Sequence, residues 1–264
     1  MGERLVIPER YRGFEDVAHG GYVAGLLTRS IDGAAEVVLR RPPPLGRPLV
    51  IEPNGDTGGV ALCDGESVIA EATPAALELD VPRVVTFDEA QEASKAYPGH
   101  TAHPFPSCFA CGPHRQRGDG LRLFPGRLNG SRIVAAPFEP GALADGSEFL
   151  GSELAWAAVD CPQLWALMMD APPDSPERVV TSRLAGTVRD RIRANQRYVV
   201  MAWPAGRDGD RLHADAAIVS EEGEPIGVAR QTAVVVGPDW GVPLGADTRR
   251  SLATGRQART ERAA

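Results

Sequence analysis

Hydrophobic and polar positions follow the same order twice along the chain. In each half, a stretch with apolar residues at helical spacing precedes runs of β-branched residues that alternate in part with polar ones. The two helical stretches are HGGYVAGLLTRSIDG, at residues 19–33, and GSELAWAAVDCPQLWALMMD, at residues 151–170. The pattern therefore predicts a helix followed by antiparallel strands, made twice.

The second helical stretch has the clearer pattern. Leu154, Ala157 and Ala158 are spaced by three and four residues and so share one face of a helix over 152–169. Pro162 lies inside this stretch, and a proline removes one backbone donor and clashes with the preceding turn. We therefore expect the helix to kink or to be interrupted just after Asp160.

The strand predictions depend on β-branched runs and on glycine turns. The clearest runs lie at residues 179–181, 198–201 and 228–236. Asp64-Gly65 and Glu222-Gly223 each separate two such runs, and glycine accepts the positive φ that hairpin turns require. The sequence thus predicts a hairpin in each half.

Proline positions divide the chain. We predict an N-terminal unit at residues 1–80, a linker with one short helix near Asp88–Tyr97 at 81–106, a C-terminal unit at 107–240 and a flexible tail at 241–264. The tail is rich in Arg and poor in large apolar residues, so it is not expected to join a core.

Composition narrows the class of protein. The chain has 264 residues, 43% of them apolar, and a net charge of −7, which argues against nucleic acid as a partner. Four scattered cysteines do not form a disulfide framework, and the chain shows neither a secretory signal nor an apolar run long enough to span a bilayer. We expect a cytoplasmic protein with no membrane partner.

Several short motifs resemble a known family. AAVDCPQLW at 157–165 resembles the central helix of double-hotdog acyl-CoA thioesterases, and EGEPIGVARQTAVVV at 222–236 resembles their last strands. HGGYVAGLL at 19–27 and CFACGPHRQRGDGLRLFPG at 108–126 are similar to the helix entry and the start of hotdog proteins. The resemblance touches residues 14–80 and 105–237 and implies an α+β double hotdog fold, in which an antiparallel sheet wraps a long helix in each of two repeats.

The family implies hydrolysis of an acyl-CoA or another acyl thioester by a water molecule that an aspartate activates. The resemblance places Asp160 in the role of the base and Gln231 in that of its helper, with surface residues such as Arg183 or Arg189 meeting the CoA phosphates. The chain also departs from the family pattern. Where the family has a Thr or Ser beside the water, YVVMAWPAGRDGD offers Trp203 and Pro204, and the first helix has Thr28 or Arg29 instead of an acid. The alternative is a non-catalytic protein that binds an acyl chain or CoA.

Elementary chemistry leaves the role of each carboxylate and amide open. Asp160 lies among apolar residues, where desolvation strengthens a carboxylate as a base, but the backbone near Pro162 could equally satisfy it. Glu153 is seven residues earlier on nearly the same helix face; it is a second candidate base, or it complements the helix dipole. Gln231 orients the water or points outwards from its strand.

Helix N-termini supply the candidate substrate-binding groups, because their first N–H groups have no intrahelical acceptor. Gly151 and Ser152 would polarise the thioester carbonyl in the second half, and His19, Gly20 and Gly21 would do so in the first half or would only allow close packing.

The fold needs no partner chain to be complete, although pairing of sheet edges favours a homodimer.

A metal site is the competing interpretation of the segment around Cys108. His100, His103, Cys108, Cys111 and His114 are all potential ligands, but they crowd into one short run, whereas structural zinc sites draw on separated segments. We therefore expect no metal and no cofactor.

Two other enzyme classes lack their sequence signatures here. The chain contains no Gly-x-Ser-x-Gly elbow for a serine hydrolase, and neither half has the Asp-to-His loop pattern of hotdog hydratases.

Overall fold

The structure is a computed structural model that describes residues 2–55, 58–171, 178–188 and 192–236. Within these ranges, eleven strands form one antiparallel sheet. The first-half strands are β1 (Glu3–Val6), β4 (Ala34–Leu39), β5 (Pro48–Asn54), β6 (Gly59–Asp64) and β7 (Ser67–Ala75). The second-half strands are β8 (Gly126–Arg127), β9 (Val134–Phe138), β10 (Arg178–Gly186), β11 (Tyr198–Asp208), β12 (Arg211–Ser220) and β13 (Pro225–Val236). Their order in the sheet is β1-β5-β6-β7-β4-β10-β13-β12-β11-β9-β8. A separate pair, β2 (Arg12–Phe14) with β3 (Val17–Ala18), precedes the first helix.

The two halves of the sheet meet at one strand pair. β4 pairs antiparallel with β10 over four residues of each strand, from Arg183 opposite Val38 to Gly186 opposite Ala35. All first-half strands of the sheet lie on one side of this seam and all second-half strands on the other. Residues from both halves can therefore reach a common site near the seam.

Helices α1 (Gly20–Leu27) and α3 (Ser152–Asp170) pack against each other closely. A Cβ atom added at Gly21 would lie 2.6 Å from the Trp156 carbonyl oxygen, and one added at Gly25 would lie 2.2 Å from Glu153 Cα. Only glycine permits this distance. Because Gly21 meets α3 near Asp160 and Gly25 meets it near Glu153, the two helices run antiparallel.

The third helix, α2 (Phe87–Lys95), covers the other face of the second-half strands. Thr86 and Glu89 form a capping box at its start. Its buried residues join a cluster with Ala135, Val199 and Met201, whereas the alternate strand residues belong to the core beneath α3. This helix lies where the sequence predicted one near Asp88–Tyr97, and it packs on the sheet.

Both predicted hairpins are confirmed. The Asp64-Gly65 turn joins β6 to β7 and the Glu222-Gly223 turn joins β12 to β13, with positive φ at both glycines. The predicted interruption at Pro162 is wrong, because α3 continues through it to Asp170. Both faces of the helix near Pro162 are buried, so packing maintains the helix despite the missing donor.

The predicted tail falls outside the described residues. No helix in the described ranges is long and apolar enough to cross a bilayer.

Candidate active site

A cavity of about 300 Å³ lies between α1, α3, β10 and the segment that contains His103 and Cys108. Most of its wall is apolar, and the large apolar residues that form it include Phe14, Leu39, Phe105, Trp165, Met168 and Val234. Its polar groups are few and come from both halves of the chain. This combination is typical of a site that takes an apolar ligand and orients one reactive group of it.

Asp160 borders this cavity at the centre of a hydrogen-bond network. Its side chain is almost fully buried, with 4% exposed. Oδ1 accepts hydrogen bonds from Thr181 Oγ1 at 2.6 Å and from Gln231 Nε2 at 2.5 Å, and Oδ2 accepts one from the Gly21 N–H at 2.8 Å. A buried carboxylate requires such partners, and here they come from α1, β10 and β13.

Thr181 is the residue that the sequence analysis missed. The family resemblance located this hydroxyl on the strand with Trp203 and Pro204, which is β11 and offers no Thr or Ser. The hydroxyl comes instead from β10, the first strand after α3, which lies next to the strand of Gln231. Gln231 Nε2 also donates to Thr181 Oγ1 at 2.9 Å, so Asp160, Thr181 and Gln231 form a closed triangle. A threonine in the first β-branched run after the helix was the available signal.

The Gln231 amide also has an unused acceptor. Its Oε1 is buried and has no hydrogen-bond partner among the residues that the structure describes. A buried amide oxygen in this state can accept a hydrogen bond from a water molecule or a ligand.

His19 precedes α1 and faces Asp160 from the first half of the chain. Its Nδ1 lies 3.5 Å from Asp160 Oδ2 and 3.3 Å from the Tyr22 N–H, and its Nε2 lies 3.2 Å from Cys161 Sγ. Burial alone lowers the pKa of His19, but its hydrogen bond to Cys108 and the negative charges of Cys108 and Asp160 outweigh burial and hold the pKa above its usual value. The imidazole therefore has an acidic group on each side.

Three buried cysteines from two segments meet beside His19. Cys161 Sγ lies 3.6 Å from Cys108 Sγ. Hydrogen bonds with Cys111 and Cys161, and then with His19, hold the pKa of Cys108 well below its usual value. Burial raises the pKa of Cys111, and hydrogen bonds to the other two thiols raise that of Cys161. The cluster thus favours one thiolate, centred on Cys108.

The start of α1 lies at this cavity, and the start of α3 does not. His19 and Gly20 border the cavity, and a Cβ atom added at Gly20 would lie 3.5 Å from Asp160 Oδ2. Gly151, Ser152 and Glu153 instead line a separate surface cleft. Eight residues of helix separate Ser152 from Asp160, a rise of about 12 Å. The structure therefore brings the first-half glycines, and not Gly151 and Ser152, to the carboxylate.

Glu153 also lies away from Asp160. It forms an ion pair of 2.8 Å with Arg29, whose side chain is half exposed. The two carboxylates share a face of α3, but two turns separate them, and Asp160 borders the cavity whereas Glu153 lines the surface cleft.

Two arginines stand at the rim of the cavity. Both Arg40 and Arg41 border it. Arg40 forms an ion pair with Glu71, whereas Arg41 has no ion-pair partner among the described residues. Arg183, which the sequence suggested for phosphate contacts, pairs with Glu36 outside the cavity lining. Arg189 falls outside the described residues.

No protein-family model matches the sequence, and a search of curated proteins also gives no match. Similarity to known proteins therefore comes from comparison of solved structures.

Three solved structures illustrate this similarity. The TesB protein of Mycobacterium avium subspecies paratuberculosis is 11% identical with a TM-score of 0.54, over 88% of this chain and 92% of that one. An acyl-CoA thioesterase II from Mycobacterium marinum is 13% identical with a TM-score of 0.50, over 85% and 91%. The dehydratase domain of PpsC from Mycobacterium tuberculosis, in complex with C12:1-CoA, is 15% identical with a TM-score of 0.53, over 89% and 93%.

At these identities, structural likeness shows the fold. A protein from Alicyclobacillus acidocaldarius whose structure is described as a hot dog fold is 14% identical with a TM-score of 0.52, over 89% of this chain and 93% of that one. Of the double hotdog fold that the sequence motifs implied, the hotdog fold is thus confirmed, and this chain shares it with structures of TesB-like thioesterases.

Proposed function

We propose that this protein hydrolyses an acyl-CoA thioester with a water molecule activated by Asp160. The observation that carries the proposal is the triangle of Asp160, Thr181 and Gln231, of which Asp160 and Thr181 border an apolar cavity. A carboxylate held by one hydroxyl and one amide can orient a water molecule and accept its proton. The apolar wall accommodates an acyl chain and excludes bulk water.

The reaction follows from this arrangement. Asp160 takes a proton from the water, and the resulting hydroxide attacks the thioester carbonyl carbon. Negative charge then develops on the carbonyl oxygen, where the Gly20 N–H at the first position of α1 is available as a donor. When the carbon–sulfur bond breaks, the CoA thiolate takes the proton back from Asp160, and the free acid is released.

The arrangement of the two halves supports this proposal, because they would act as two hotdog units that share one site. Each contributes a helix and a contiguous set of strands, joined at the β4–β10 seam. The first unit supplies the helix start and the second supplies the base. Arg41 at the rim would meet a CoA phosphate, because a guanidinium is well suited to phosphate oxygens.

The experiment is a panel of acyl-CoAs of increasing chain length, with loss of each thioester followed by chromatography rather than by a thiol reagent, because the protein has free cysteines of its own. We expect at least one chain length to be hydrolysed by the wild type and not by Asp160→Asn of unchanged melting temperature. If no acyl-CoA is cleaved but one co-purifies or binds stoichiometrically, the protein is a non-catalytic acyl-CoA binder, and the hydrolase proposal is wrong.

A second candidate is dehydration of a 3-hydroxyacyl thioester, or the reverse hydration. It is favoured by the 3.5 Å approach of His19 Nδ1 to Asp160 Oδ2, since one group can remove the α-proton while the other protonates the departing hydroxyl. One structural neighbour is itself a dehydratase domain. Incubation with a trans-2-enoyl-CoA distinguishes the two reactions, because addition of water to the double bond leaves the thioester intact.

A further inference from the structure

The thiol cluster beside the cavity is assembled from distant parts of the chain. His19 precedes α1, Cys108 and Cys111 follow the linker, and Cys161 lies in α3, one residue after Asp160. All four side chains are buried, and the ligand atoms of His19, Cys108 and Cys161 lie within 4.8 Å of one another. The objection that the ligands crowd into one short run therefore no longer holds, because the fold adds two ligands from separate helices.

The spacing of these atoms matches tetrahedral coordination. With zinc–sulfur bonds of about 2.3 Å and zinc–nitrogen bonds of about 2.0–2.1 Å, tetrahedral angles place two sulfurs about 3.8 Å apart and a sulfur and a nitrogen about 3.6 Å apart. Cys108 Sγ and Cys161 Sγ are 3.6 Å apart, and Cys161 Sγ is 3.2 Å from His19 Nε2. The Cys108–Cys161 and Cys161–His19 distances are thus within about 0.4 Å of the tetrahedral values, and these three residues form one face of the tetrahedron. Cys111 Sγ is not one of the atoms that lie within 4.8 Å of one another, so it would have to shift towards them to bind the same ion.

The hydrogen bonds of the two nearby imidazoles indicate which one is the ligand. His103 Nδ1 accepts a hydrogen bond of 2.8 Å from the Phe105 N–H, so its proton is on Nε2, which points at Cys111 Sγ at 3.2 Å. His103 can thus donate to a ligand sulfur but cannot coordinate through that nitrogen.

His19 has the opposite arrangement. With Nε2 on a metal, its proton would be on Nδ1, which faces Asp160 Oδ2 and would give up the long contact with the Tyr22 N–H. A carboxylate behind a metal-bound histidine is a common way to fix the ring.

We propose that Cys108, Cys161 and His19 bind one zinc ion, with Cys111 moving in as the fourth ligand. Three thiolates and one imidazole suit a soft or borderline cation and exclude magnesium and calcium, which prefer oxygen ligands. Four protein ligands leave no open position, so the ion is structural. It fastens the segment around Cys108 to both α1 and α3, and it forms part of the cavity wall. This proposal does not depend on the proposed hydrolysis.

The fourth cysteine provides a matched control. Cys63 lies in β6, is partly exposed and is not one of the residues that border the cavity. We would purify the untagged protein without chelators or added metal and measure its metal content by elemental analysis. The expected result is about one zinc per chain in the wild type and in Cys63→Ser, and a loss of at least tenfold in Cys108→Ser and Cys161→Ser.

A measurement on the wild type keeps the proposal testable if these variants fail to fold. Replacement of the bound ion by Co²⁺ should give the intense visible absorption of a tetrahedral site with thiolate-to-cobalt charge transfer. Three results would overturn the proposal: wild-type protein that binds neither zinc nor cobalt, full zinc content in the Cys108 and Cys161 variants, or a disulfide between Cys108 and Cys161 in freshly purified protein. Thioesterase activity is not a readout in any of these, so failure of one proposal is distinguishable from failure of the other.

Discussion

The two ends of the α1–α3 pair can be compared residue by residue. Asp160 lies eight residues after the start of α3, and Thr28 lies eight residues after the start of α1. Asp160 is bound by the Gly21 N–H, Thr181 and Gln231 beside an apolar cavity. At the other end, Thr28 Oγ1 donates to the carbonyl of its own helix at Gly25, and Arg29 pairs with Glu153.

The difference shows that helix position alone does not define the site. Asp160 and Glu153 are two turns apart on one face of α3, and each lies beside a glycine of α1. What separates them is the surrounding sheet: β10 and β13 supply a hydroxyl and an amide to Asp160, whereas a half-exposed Arg29 alone neutralises Glu153. The polar partners, more than the carboxylate, make the end at Asp160 suitable for chemistry.

The largest expected effect is the loss of turnover in Asp160→Asn. Because the amide cannot accept a proton from water, kcat for the preferred acyl-CoA should fall by about 10²–10⁴-fold. Glu153→Gln removes a carboxylate from the same helix face, and its kcat should stay within about threefold of the wild type. Equal losses in both variants would mean that the comparison between the two ends is misconceived.

Thr181→Val should have the next largest effect. The valine keeps the shape but removes the hydroxyl that donates to Asp160 and accepts from Gln231, a loss of about 1–3 kcal/mol that corresponds to roughly 5- to 160-fold in kcat. Ser182→Ala is the control, because Ser182 is the next residue and its hydroxyl donates to the Thr232 carbonyl instead. A similar fall in both variants would point to distortion of β10 and not to loss of a site hydroxyl.

Alanine at Gly21 and at Gly25 tests the close helix contact at each end. Both methyl groups would overlap α3, so both variants should lose about 1–3 kcal/mol of stability despite the better helix propensity of alanine. Thermal melting with calorimetry measures this loss. Gly21→Ala should also lower kcat, because its Cβ would press on Asp160 Cβ. Folded Gly25→Ala protein should have the same kcat as the wild type.

The smallest effect is expected for the ion pair at the far end. A double-mutant cycle with Arg29→Gln and Glu153→Gln should give a coupling energy below about 1 kcal/mol, because Arg29 is half exposed and solvent screens the pair. The coupling should shrink further in high salt. A coupling of several kcal/mol would show that this end is organised as tightly as the end at Asp160.

Local patterns predicted much of the fold. Helical spacing identified α3, glycine punctuation located both hairpins, and a β-branched run marked β10, because each depends on residues close in sequence. Asp160 and Gln231 came from the family resemblance, and the structure places them in hydrogen-bond contact. Continuation of α3 through Pro162 required knowledge of the packing on both of its faces.

Long-range contacts explain what the sequence did not predict. Thr181 reaches Asp160 because β10 lies beside β13, and strand order is not readable from local alternation. Gly151 and Ser152 precede Asp160 in the same helix, yet the helix start that meets Asp160 belongs to the other half of the chain. Cys161 joins Cys108 across 53 residues of sequence, so the ligand set could not be recognised in either segment alone.

The shortness of α1 has a consequence for how the proposed activity would be lost. A helix of eight residues has little intrinsic stability and remains folded only while it is docked against its neighbours. Undocking of this one segment would remove the amide behind Asp160 and open the cavity to water, while the large sheet stayed intact. The proposed activity should therefore depend on a local equilibrium of the first helix, and it can be lost in molecules whose circular dichroism spectrum is still that of the native sheet.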